Sequence, residues 1–137
     1  MRSRPFRAGR QDRGAAAVEF ALVLPLLLMV VFGLIDFGRA LNEQILLGRA
    51  AQQGVRAAAL RQTDTVARTQ TAARPLVGVG VAITACPAGT AGSTDATVVA
   101  THPFTFITPV DVFVGMFGGD LGSGPVLSGR AVMRCVG

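Results

Sequence analysis

The residues best placed to do chemistry are a lone carboxylate inside an apolar run, Glu19, and a pair of cysteines, Cys86 and Cys135. An ionised carboxylate in a lipid environment costs about 2–3 kcal/mol at depth, so it persists where a cation or a proton answers it or where it sits shallow enough to reach headgroup water. Both readings apply to Glu19, which stands near the start of its run. The two cysteines offer either a disulfide or two buried thiols. His102 is the single histidine, without a neighbouring carboxylate or cysteine pattern, and cannot build a zinc site or a relay triad; a turn residue before Pro103 is the expected role. All thirteen basic residues are Arg, and the absence of Lys removes the amine that phosphate-loop, kinase and Schiff-base chemistries use. Asp36-Phe37-Gly38 therefore spells a kinase metal motif by chance, and Gly78-Val79-Gly80 lacks the helix that a dinucleotide fingerprint needs. No metal, cofactor or enzymatic activity is expected.

The elements that position Glu19 are plain in the composition. Half the 137 residues are hydrophobic and 15% are charged. From Ala15 to Ile35 Glu19 is the only charge, and this length of helix measures roughly 32 Å, enough to cross a bilayer's hydrocarbon core. Too few large apolar residues remain elsewhere to bury a helix that is apolar all round. Residues 1–14 hold five Arg against Asp12, while beyond the run Asp36 and Arg39 cancel. The positive-inside bias then predicts a cytoplasmic N-terminus and an extracytoplasmic chain from residue 40 onward, in the cytoplasmic (inner) membrane. The apolar run is longer than a cleavable signal's, and no small-x-small site follows it. Because the net charge of +5 is concentrated in that short basic tail, and no aromatic-studded basic face accompanies it, nucleic acid is not an expected partner.

Arg13-Gly14 followed by Ala15-Ala16-Ala17-Val18-Glu19-Phe20 resembles the leader junction of type IV prepilins, in the Tad (tight adherence) branch. The stretch RGAAAVEFALVLPLLLMVVFGLIDFGRA is similar to the opening of TadE-like proteins, minor pilins or pseudopilins of that system, and PFTFITP and SGRAVMR resemble their tail more loosely. The resemblance implies that a prepilin peptidase cuts between Gly14 and Ala15, and that Glu19, with Phe20 beside it, mediates subunit pairing. Cutting there removes the arginines and leaves an α-amine on Ala15 that is largely protonated at neutral pH. A neighbour's Glu19 can answer that charge, and a missing partner would leave a buried charge uncompensated at several kcal/mol.

Beyond the membrane, Leu41, Ile45, Gly48, Val55 and Ala59, with Gln52 interposed, fall on one helical stripe, while Arg49 and Arg56 lie off it. The small residues Gly48, Ala51 and Gly54 suit close approach, either to another subunit or to the chain's own C-terminal domain. The helix is expected from about Gly14 to Arg61, with a second, short helix capped by Thr63 or Asp64 and ending before Pro75. Strands are expected over Leu76–Cys86, over Ala96–Ile107 with an interruption at His102-Pro103, and over Val126–Val136, with a polar turn over Pro87–Asp95 and a flexible loop over Phe117–Pro125. The apolar residues Phe113, Met116 and Phe117 suit core closure, a partner or the membrane surface. Cys86 and Cys135, near the ends of the first and last strands, are the disulfide candidates.

The expected fold class is α+β and pilin-like: a long N-terminal transmembrane helix running on into an amphipathic helix, then a small antiparallel β-rich C-terminal domain. The divisions are a basic leader (1–14), the transmembrane helix (15–37), a helical stalk (38–74) and the β-rich domain (75–137). The expected partners are membrane lipid, the prepilin peptidase, and other pilin or pseudopilin subunits with Tad inner-membrane assembly proteins. The rival reading is an unprocessed single-span anchor that presents a small binding domain.

Overall fold

The computed structural model describes residues 11–89 and 92–136. Most of the expected leader, residues 1–10, lies outside the described residues, as do two positions of the Pro87–Asp95 turn.

Helix α1 (Gln11–Ala59) is 49 residues long, which at 1.5 Å per residue makes a rod of about 73 Å. It passes through Pro25 as one element. Membrane helices tolerate proline where neighbouring groups or small local adjustments of the backbone satisfy the carbonyl it frees. After a turn in which Arg61 takes a positive φ of 56°, α2 (Thr65–Ala72) runs back along α1. Asp64 precedes α2 without a side-chain capping bond; its carboxylate accepts instead from Arg68 Nε at 2.7 Å, a pair one turn apart. Strands β1 (Gly80–Thr84), β2 (Asp95–Pro103) and β3 (Val126–Arg134) form one antiparallel sheet in the order β1-β2-β3. Between β2 and β3 lies a short helix, α3 (Val110–Met116).

Each strand is shorter than its expected span. Gly78, at φ 75°, turns the chain before β1, and β2 ends at Pro103, which has no N–H to continue a ladder. His102 is a strand residue paired with Leu127, not a turn residue, and its Nδ1 is buried without a partner. Alternation along β2 sends Ala96, Val98 and Ala100, all fully buried, towards the C-terminal half of α1.

That half buries only part of the expected stripe, Val55 and Ala59, and adds other positions to it. Leu41 and Ile45 are 45% and 54% exposed and Gln52 is also exposed, while Leu47, Ala50, Ala51, Val55 and Ala58 enter the core. The sheet lies so close that a Cβ on Gly129 would overlap the Leu47–Gly48 peptide, and one on Gly54 would overlap Thr69 of α2. Glycine at Gly129 and Gly54 lets backbone approach at that range, and the face turned to the sheet runs through Leu47, Ala50, Ala51 and Ala58, leaving Leu41 and Ile45 on the side it does not cover.

Candidate membrane and assembly site

Two regions of α1 have opposite surroundings. From Gly14 to Ile35 the helix leaves the folded part and stands largely uncovered: Leu22 is 75% exposed, Leu26 65% and Leu34 67%. It is a helix long and apolar enough to cross a membrane, with a mean hydropathy of 2.7 over its most apolar window. Gly14 and Ala15 are exposed positions within the helix, and Glu19, also exposed, stands one turn beyond Ala15 on the same face. Phe20 is 64% exposed beside it. These four residues lie together at one end of the rod, far along the chain from the sheet.

The opposite end of α1 carries the staple. Cys86, just after β1, and Cys135, just after β3, form a disulfide across 49 positions of sequence. The N–H of Cys135 donates to the Thr94 carbonyl at 3.0 Å, and the next N–H, of Val136, donates to Ala59 O at 3.4 Å, which ties the C-terminal segment to the end of α1.

Between these regions, where the apolar run stops, the structure assembles a cluster that the spacing of charges did not reveal. Asp36 is 2% exposed. One carboxylate oxygen accepts from the backbone N–H of Ile107 at 3.2 Å, the other from the Thr108 hydroxyl, and the Arg39 guanidinium lies 3.6 Å away. Arg39 also donates to Glu43 at 3.2 Å and to the Thr105 carbonyl at 3.3 Å, and its guanidinium carbon lies 5.3 Å from the centre of the Phe104 ring. Asp36, Arg39 and Glu43 share one face of α1, and together they hold the segment 104–108 against the helix. Read locally, Asp36 and Arg39 merely cancel; the bonds that recruit them come from residues about seventy positions away. The available signal was the Phe-Thr-Phe-Ile-Thr stretch between Pro103 and Pro109, whose free backbone groups need partners after a strand has ended.

Just past this cluster α3 lies beside the apolar half of α1. The Phe32 and Phe113 rings are 6.2 Å apart at their centres. Among the described residues, no three His, Cys, Asp or Glu side chains gather where they could hold a metal ion.

A largely uncovered apolar rod rooted in a small disulfide-stapled sheet defines the class: an α+β protein with one candidate membrane span among the described residues. Residues 14–56, which run from the start of the apolar stretch into the packed half of α1, match the family model described as TadE-like protein. No curated protein and no solved structure matches the chain.

Proposed function

We propose that this protein is a TadE-like minor pilin, a pseudopilin, which acts without catalysis by inserting α1 into the inner membrane and associating with other subunits through it. The observation that carries the reading is the coincidence of the TadE-like match with a helix whose apolar half its own fold leaves largely uncovered. A surface of that kind is stable only against lipid or other apolar helices. The arginine-rich start supports a cytoplasmic N-terminus, and the Cys86–Cys135 bridge supports an oxidising compartment for the sheet.

In this reading a prepilin peptidase cuts after Gly14, and the new Ala15 amine of one subunit meets Glu19 of its neighbour in the apolar bundle. Mass spectrometry of the protein from strains with and without the peptidase tests the reading. A mature N-terminus at Ala15 in the first strain alone is expected. An intact Met1 in both would leave an anchor that presents its small domain untrimmed.

A further inference from the structure

We propose that the segment 107–117 is itself a membrane-inserting element, dipping into the lipid interface beside α1 so that the folded part rests on the bilayer surface. The proposal rests on α1 being a membrane span and adds a second, shallow attachment contributed by the C-terminal domain.

The argument begins with register along α1. Thr108 is bonded to Asp36, the first charge after the apolar run, whereas Phe113 packs on Phe32. Going from residue 108 to residue 113, the chain moves about 6 Å along α1 towards its apolar end, the rise of four helical residues. It therefore passes from the last polar level of the helix to one where α1 has only apolar neighbours, and a bilayer surrounding α1 at Phe32 surrounds Phe113 also.

The composition of the segment fits that depth. Ile107 is 64% exposed, Val112 61%, Met116 75% and Phe117 82%, a large apolar surface with no cover from the protein. An isolated surface Leu or Val needs no explanation, but a cluster of this kind, continuous with the bare half of α1, does. The carboxylate in the segment, on Asp111, lies in the first turn of α3, at the shallow end, and accepts from the Val112 N–H at 2.8 Å. The next, on Asp120, lies beyond the Gly118-Gly119 turn and accepts from the Gly122 N–H at 2.7 Å. The apolar tip is thus bounded on each side by a carboxylate with a local backbone donor, which limits it to a shallow position in the interface.

Between this segment and α1 lies an open apolar groove of about 300 Å³, walled by Gly33, Phe37 and Ala40 on one side and Val110, Val114 and Leu121 on the other. The same packing shields the Asp36 carboxylate, so that the charge nearest the apolar run faces Thr108 and Arg39 and not acyl chains.

The chain has no tryptophan, so single Trp variants make clean reporters. Full-length Phe117→Trp and Met116→Trp proteins, reconstituted in phosphatidylcholine vesicles, are compared with Leu26→Trp in the span and with Val77→Trp, a position 85% exposed on the loop before β1. Quenching by lipids carrying a nitroxide near the headgroup should be several-fold stronger for Phe117→Trp and Met116→Trp than for Val77→Trp. Leu26→Trp should respond best to a nitroxide near the chain end. If Leu26→Trp is quenched while both tip reporters behave like Val77→Trp, the inserted tip is refuted and the span stands. If none is quenched, the span and the tip fall together. A blue-shifted but unquenched emission from the tip variants would place those side chains against protein and overturn the proposal.

Discussion

The bonds made by Asp36 give the sharpest test of how the sheet domain is seated at the end of the apolar run. Replacing Asp36 with Ala removes a buried carboxylate that accepts from Ile107 N–H at 3.2 Å and from the Thr108 hydroxyl, and deprives Arg39 of a partner 3.6 Å away. Hydrogen bonds to a charged acceptor contribute about 1.5–3 kcal/mol each, and the released groups regain some of that by meeting water at an edge of the domain. A net local loss of about 2 kcal/mol is reasonable for two such bonds after that recovery. Because the disulfide and the β2–β3 ladder lie elsewhere, the loss falls on the opening of the segment 104–109 and not on global unfolding. At 1.36 kcal/mol per tenfold, the Ile107 amide should exchange about 30-fold faster in Asp36→Ala. Asp36→Asn keeps a carbonyl acceptor without the charge and should fall between the two. Residue-resolved hydrogen exchange in lipid nanodiscs measures this, with the Val98 and Val99 amides of β2 as internal standards. An unchanged Ile107 rate in Asp36→Ala, with the β2 rates also unchanged, would refute the claim that this carboxylate seats the segment.

Removing the bridge with Cys86→Ser and Cys135→Ser should cost about 4 kcal/mol by chain-entropy reasoning for a loop of 49 positions, read as a lower urea midpoint; an unshifted midpoint would contradict it. Gly129→Ala places a Cβ on the Leu47–Gly48 peptide and should destabilise by about 2 kcal/mol or more, whereas Gly115→Ala in α3, with open space at its Cβ, should be near neutral; equal unfolding midpoints would show that the sheet does not sit that close to α1. Glu19→Gln should leave membrane insertion intact, measured by carbonate extraction, and reduce recovery of the protein with its partner subunits after crosslinking; unaltered recovery would end the pairing argument.

Much of the architecture could be read from residue order. A twenty-one-residue run with Glu19 as its only charge has the length of a bilayer core, and the local Arg13–Phe20 pattern carries the TadE-like resemblance that the match over residues 14–56 bears out. The long helix followed by β-branched segments announced the α+β class, because helical and strand periods are properties of neighbours in sequence. Cys86 and Cys135 were legible as a possible bridge because they fall near the ends of the first and last expected strands, on the side of the membrane where oxidation is expected, and the structure joins them.

Other features depended on which distant backbone came to lie on α1. Of the expected stripe Val55 and Ala59 are buried, but Leu41 and Ile45 are not, because the face of α1 that is covered is set by where Gly129 meets the Leu47–Gly48 peptide, about eighty residues away in sequence. The helix over Val110–Met116 is too short to show a period, and only its seat against Phe32 distinguishes it from a loop. Asp36 and Arg39 looked self-neutralising until Ile107, Thr108 and Thr105 were brought to them. Periodicity and hydropathy are local quantities and so survive in the order of residues, whereas the partner of a buried charge and the face a helix hides are decided by whichever surface closes over them.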